Sequence, residues 1–271
     1  MDLGLRGRRA VITGSSKGLG QATAETLAAE GVDVHLVARD AKALERIATD
    51  LGKRHGVEAS FSALDLSDSA NVDGLFAQLT GRIDILVNNA GAIPGGSIDL
   101  VDEKRWREAW DLKVFGYINM CRLAYARMQK DGGGVIVNVI GAAGERPTPG
   151  YVAGAGGNAS LMAITRALGG HSRQDGIRVV AINPGQIKTD RLVTLLKTQA
   201  IEQFGDESRW EELVDATFPP GEPHHIADLV AFLASDVSSN TTGTVVTLSL
   251  IHISEPTRRT PISYAVFGLK K

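Results

Sequence analysis

Cys121 is the only cysteine in the 271-residue chain. A lone thiol excludes an intrachain disulfide and any zinc site built from several cysteines. Charge of neither sign prevails: Lys plus Arg number 29 and Asp plus Glu 31, for a net charge of −2. That balance argues against a surface built to grip nucleic acid or an anionic membrane. No apolar run approaches the roughly 18 residues that a spanning helix needs. The stretch from Met1 to Arg9 lacks the apolar centre of a secretion signal and leads straight into a strand-like segment. The six histidines show no ligand spacing, and the His224-His225 pair reads as a helix start rather than a metal site. No Pro- or Ser-rich linker and no internal repeat divides the chain. What is present suffices for a sizeable core, with 43% hydrophobic and 22% charged residues. A cytoplasmic, metal-free globular protein of one domain is expected.

Apolar, β-branched runs occur at Ala10–Thr13, Val32–Ala38, Glu58–Ala63, Ile83–Asn88, Val135–Ile140, Ile177–Ile182 and Thr244–Leu248. Between them lie stretches of helical periodicity, among them Gln21–Ala29, Ala41–Leu51 and Trp106–Met128. This alternation implies a parallel sheet with helices on both faces. Unbroken apolar runs such as Ile85-Leu86-Val87 fit strands covered on both sides. The expected fold is α/β, a single Rossmann-fold domain over residues 1–248, with a doubly wound parallel sheet of about seven strands. In such sheets ligands sit beyond the carboxyl ends of the strands, so candidate site residues are those that follow each strand. The tail, residues 249–271, breaks the pattern. It looks like translated read-through of a sequencing adapter and is expected to be foreign to the domain.

The first strand ends in Thr13-Gly14-Ser15-Ser16-Lys17-Gly18-Leu19-Gly20, and a helix follows. Glycine permits a tight turn and a close approach to a pyrophosphate, and the helix end offers free N–H groups to the phosphates. This spacing resembles that of the short-chain dehydrogenase/reductase family. Three further motifs fit it: Asp65 after strand three, Asn88-Asn89-Ala90-Gly91 after strand four, and Asn183-Pro184-Gly185 with Thr189 after strand six. The likeness spans about residues 5–248. It implies that Gly14, Ser16, Lys17, Gly18, Leu19 and Gly20 bind the pyrophosphate of a nicotinamide dinucleotide. It further implies that Asp65 and Leu66 meet the adenine, and that Asn88, Asn89, Ala90 and Gly91 line the cleft. Pro184, Gly185, Ile187 and Thr189 then cover the nicotinamide.

An acid at the tip of strand two would hold the ribose hydroxyls of NAD. Here that place is Ala38, followed by Arg39. A guanidinium matches a 2′-phosphate in charge and shape, and Lys17 adds a second cation. NADP(H) is expected over NAD(H).

The family's catalytic groups are an Asn, a Ser, a Tyr and a Lys. The Lys⁺ favours the phenolate of the Tyr, which exchanges a proton with the substrate oxygen. Tyr151 aligns with the tyrosine, but Ala155 stands four residues on where the lysine belongs, and Gly141 occupies the serine position. The loop from Gly141 to Tyr151 is about three residues shorter than the family's. Lys113 stands where the asparagine belongs. The expectation is that the roles are redistributed, with Lys113 supplying the missing charge and Asn158 the missing amide. Candidates to hold the substrate oxygen are the backbone of Gly141–Gly144 and Thr148. The three glycines of Gly154-Ala155-Gly156-Gly157, each costing about 1 kcal/mol in a helix, imply that something packs closely there.

The segment Thr189–Phe218 reads as an amphipathic lid over a partly apolar substrate. The resemblance implies a small-molecule carbonyl or alcohol substrate and a homodimer or homotetramer, without nucleic acid or membrane partners. A catalytically silent dinucleotide-binding protein is the alternative.

Overall fold

The computed structural model describes residues 2–217 and 219–249; Phe218 and the tail beyond Ser249 lie outside the described residues. Seven strands form one parallel sheet in the order β3-β2-β1-β4-β5-β6-β7. They are β1 (Arg9–Thr13), β2 (Asp33–Ala38), β3 (Ala59–Ala63), β4 (Ile85–Asn88), β5 (Gly134–Val139), β6 (Ile177–Pro184) and β7 (Val245–Leu248). All seven expected strands are present, with ends that agree to within two residues. Strand β6 runs on to Pro184, which lacks an N–H and so closes the strand.

Alternate residues of each strand feed opposite faces, as the pleat requires. In β1, Ala10 and Ile12 join a core with Leu27 of α1 (Gly18–Ala29), Leu44 and Leu51 of α2 (Ala41–His55) and Val230, which lies on the last helix. Val11 faces the other way, toward Val72 and Leu75 of α3 (Ser69–Gln78) and toward Met120 and Ala124. The remaining helices are α4 (Glu103–Trp110), α5 (Gly116–Asp131), α6 (Val152–His171), α7 (Asp190–Phe204) and α8 (Pro223–Ala234). At the start of α8, His225 Nδ1 accepts from the backbone N of Glu222 at 3.1 Å, so the histidine pair does mark a helix start. Among the described residues no helix is long and apolar enough to cross a membrane, and no cluster of three or more potential ligands could hold a metal.

The chain order reverses between β1 and β4, its neighbour on the other side from β2. The strand ends at this switch point form the crevice in which α/β sheets bind ligands.

One expected helix, Trp106–Met128, is not uniform. A π-helical turn, Asp111–Phe115, joins α4 to α5. The extra residue in this turn re-aims its side chains, so that Lys113 and Val114 are buried while Asp111 and Phe115 face out.

Candidate active site

A cleft of about 1600 Å³ opens along the carboxyl ends of the strands. That exceeds the roughly 300–1,000 Å³ of a site for one small molecule and leaves room for a dinucleotide and a substrate. Every expected cofactor-binding residue borders it except Gly20 and Asn88.

The turn after β1 is shaped by its glycines. Gly14 (φ +66°) and Gly18 (φ +57°) take the left-handed backbone that other residues resist. A β-carbon on Gly14 would stand 2.9 Å from the Cα of Ala90. One on Gly20 would stand 2.3 Å from the Gly14 carbonyl oxygen, so Gly20 seats α1 beneath the turn instead of facing a ligand. No side chain caps the start of α1, which leaves N–H groups and the positive end of the helix for an anion. The expected dinucleotide fits this cradle.

Asn88 is also corrected. It is fully buried, and its Nδ2 donates to Asn138 Oδ1 at 2.9 Å, behind the cleft wall. Thr13, not foreseen as a site residue, ties the floor together. Its Oγ1 accepts from the backbone N of Asn89 at 2.9 Å and of Ala90 at 3.0 Å. Asn89 Nδ2 returns a bond to the Thr13 carbonyl at 3.1 Å. The Thr-Gly pair at the end of β1 was the available signal.

At the tip of β2, Arg39 is 74% exposed and its Nη1 lies 3.8 Å from Asp65 Oδ2. The one acid close to this tip in sequence, Asp40, is already engaged: its Oδ1 accepts from the Ala43 backbone N at 3.1 Å and caps α2. Lys17 pairs with Asp190 at 3.1 Å, both well exposed. Thr189 caps α7, its Oγ1 accepting from Leu192 N at 3.4 Å.

The catalytic candidates meet at the ends of β4 and β5. Lys113 is 6% exposed, and its Nζ donates to Tyr117 Oη at 2.7 Å and to the Val139 carbonyl at 2.8 Å. Tyr117 donates to the same carbonyl at 2.8 Å. Burial, with nearby Arg191 adding to it, pushes the Lys113 ammonium down to about 7. Burial also holds the Tyr117 phenol well above its usual range. Lys113 borders the cleft beside Gly91, where a β-carbon would stand 2.4 Å from its Cδ.

Lys113 does not reach the Tyr151 hydroxyl; Arg191 does, at 3.4 Å from its Nη2 to Tyr151 Oη. The same Nη2 bonds the Ile93 carbonyl. The Tyr151 ring folds back over its own helix, so that a β-carbon on Gly154 would stand 2.0 Å from its Cε1 and Cζ. The other two helical glycines answer to Trp110, Ile93 and Val114: added β-carbons would meet Trp110 Cζ2 at 3.4 Å from Gly156, and Ile93 Cδ1 and Val114 Cγ2 at 3.2 Å from Gly157.

Asn158 is 4% exposed and borders the cleft. Its Nδ2 lies 2.8 Å from where a β-carbon on Gly141 would stand. The amide therefore fills the space of a side chain at the serine position. Among the described residues none hydrogen-bonds to it. The Gly141 N–H, a candidate to hold the substrate oxygen, faces Asn183 Oδ1 at 3.3 Å.

The profile of the short chain dehydrogenase family matches residues 8–200. The chain belongs to the short-chain dehydrogenase/reductase family. It is 31% identical over 252 residues to the 2,3-dihydro-2,3-dihydroxybenzoate dehydrogenase of Bacillus subtilis, covering 88% of this chain and 93% of that one. It is 31% identical over 246 residues to the 3-oxoacyl-[acyl-carrier-protein] reductase FabG of Chlamydia muridarum, covering 89% and 95%. The L-sorbose reductase of Gluconobacter frateurii, solved with NADPH and L-sorbose, matches at 29% identity with a TM-score of 0.84, covering 92% of this chain and 97% of that one. An NAD+-bound xylitol dehydrogenase matches at 25% identity with a TM-score of 0.84, covering 90% and 98%.

Membership makes the Tyr151 ring informative. Gly154 and Asn158 are four residues apart on one helical face, the spacing of the family's tyrosine and lysine. Counting from Gly154 also removes the three-residue shortfall measured to Tyr151. On that count Gly154 and Asn158, rather than Tyr151 and Ala155 as expected, would stand at the family's Tyr and Lys positions, with Lys113 and Gly141 at those of its Asn and Ser.

Proposed function

We propose that this protein is an NADP(H)-dependent oxidoreductase that interconverts a carbonyl compound and a secondary alcohol. Tyr151 serves as proton donor or acceptor. The observation that carries the cofactor choice is the tip of β2, where Arg39 stands beside Ala38 and Asp40 is spent on capping α2. Ala38 offers no carboxylate to two ribose hydroxyls, Asp40 is used as a cap and Asp65 faces Arg39, whereas the guanidinium matches a 2′-phosphate. The relatives themselves include one solved with NADPH and one with NAD+, so the choice rests on this chain's own residues.

The bound dinucleotide supplies or accepts the hydride. The protein's share is to orient the substrate oxygen and move one proton. Lys113 and Asn158 have exchanged residue types between two family positions, keeping one ammonium and one amide in the cleft. The phenol lost at Gly154 returns from Tyr151, whose ring occupies that slot. The Asn158 amide, lodged beside Gly141, supplies the donor that the serine would have provided. Lid helix α7 brings Leu192, Leu195 and Leu196 to the cleft wall and excludes water. The protein works in the cytoplasm as a homodimer or homotetramer.

The test is turnover. The purified chain is assayed with NADPH against a panel of ketones and aldehydes, alongside Tyr151→Phe. Oxidation of NADPH by at least one of them, reduced on the order of 10²-fold or more in the variant, is expected. Tight cofactor binding with no turnover of any compound would favour the catalytically silent reading.

A further inference from the structure

Two basic side chains in the inner cleft have no carboxylate of their own among the described residues. Lys113 is almost fully buried, and its Nζ meets the Tyr117 hydroxyl, the Val139 carbonyl and, 4.3 Å from its centroid, the Tyr117 ring. Arg191 on α7 is half-buried, and its Nη2 meets the Ile93 carbonyl and the Tyr151 hydroxyl. Among the described residues neither comes within ion-pair distance of a carboxylate.

The acids that border the cleft are committed or remote from this end. Asp40 caps α2, Asp65 faces Arg39, and Asp190 pairs with Lys17. Glu202 is exposed on the outer part of α7, near Gly150. A charge withdrawn from water is costly unless it is paired. The Arg191 guanidinium, beside the Tyr151 hydroxyl and without a carboxylate of its own, therefore marks the place of an anion that the protein does not supply. A guanidinium has five N–H donors, and the two bonds made by Arg191 leave donors for a carboxylate.

We infer that the substrate is an anion, an oxo or hydroxy acid whose carboxylate is held by Arg191 beside Tyr151. This deepens the proposed oxidoreductase function by naming a substrate class, and it rests on reading the inner cleft as the reaction site. Arg191 is thereby a specificity-determining residue. It lies on the lid, so the bound carboxylate also ties α7 to the body of the domain.

The experiment is calorimetric titration of 2-oxo acids (pyruvate, 2-oxobutyrate and phenylglyoxylate) and their neutral methyl esters into the full chain. It is run with and without saturating NADP+, on the wild type and on Arg191→Gln and Arg191→Lys. At least one acid is expected to bind about tenfold or more tightly than its ester. Arg191→Gln should erase that preference, Arg191→Lys should keep part of it, and both should bind NADP+ within about twofold of the wild type. Acids that bind no better than their esters, or a preference that survives Arg191→Gln, would overturn the inference. So would a loss of NADP+ affinity in Arg191→Gln without any acid preference, which would assign Arg191 to the dinucleotide. The cofactor-free arm separates the two claims: if NADP+ fails to bind, the functional reading falls, while the acid preference is still read.

Discussion

The phenol ring of Tyr151 lies in the space that a side chain on Gly154 would fill, 2.0 Å from the position of its β-carbon at Cε1 and Cζ. A tyrosine three residues early in the chain thus places its ring one helical turn before Asn158, in a slot that only glycine leaves open. If Tyr151 moves the proton as proposed, Gly154 serves catalysis by leaving room for its ring, without a functional group of its own.

Gly154→Ala therefore should act through Tyr151. Its methyl group would overlap the ring and drive it out. Turnover is expected to fall toward that of Tyr151→Phe, on the order of 10²-fold, while affinity for NADPH stays within about twofold. The gain in helix propensity, about 1 kcal/mol, does not relieve the clash. Steady-state kinetics with a parallel cofactor titration checks this. An alanine variant with full turnover would show that the ring position is immaterial.

The exchange of Lys113 and Asn158 gives a second outcome. Lys113→Asn removes the ammonium and should lower kcat on the order of 10²-fold. Adding Asn158→Lys restores a cation at the family's lysine position and is expected to recover at least about tenfold of that loss. Unchanged turnover in Lys113→Asn would end the idea that this lysine carries the missing charge.

Lys113 also leaves a mark on stability. Its ordinary value of 10.5 in the unfolded chain falls to about 7 in the fold, through burial first and Arg191 second. Between those values the unfolded chain holds a proton that the native state lacks. Stability should therefore rise with pH in that window, by up to about 1.4 kcal/mol per unit from this group. Below pH 7 both states are protonated and the full cost of burial stands. Denaturant unfolding at about pH 7.5 and 8.5 should show the wild type gaining on Lys113→Met as pH rises. Parallel stabilities for the two proteins would place the lysine's titration elsewhere.

The sequence made the scaffold readable because its cause is local. Runs such as Val11-Ile12 and Leu86-Val87 are apolar on both faces, and Gly14 and Gly18 sit where the backbone demands glycine. The catalytic end was harder, since its geometry depends on distant packing. The π turn at Asp111–Phe115 breaks a stretch whose periodicity reads as one helix, and it is this turn that buries Lys113. The lysine, expected to supply its charge near Tyr151 or the ribose, instead donates to the Val139 carbonyl and Tyr117. Arg191 went unnoticed because a lone arginine on an amphipathic lid has no pattern to mark it. The missing three loop residues and the three crowded glycines of α6 were the visible traces of the Tyr151–Gly154 arrangement. Neither trace says which side chain fills the gap.

The measurement that bears most directly on the account is a fluorescence titration of NADPH and NADH into the wild type and Arg39→Ala. The wild type is expected to bind NADPH about tenfold or more tightly than NADH. Arg39→Ala should weaken NADPH until the two affinities converge. Equal affinities in the wild type, or no binding of either cofactor by the folded chain, would contradict it.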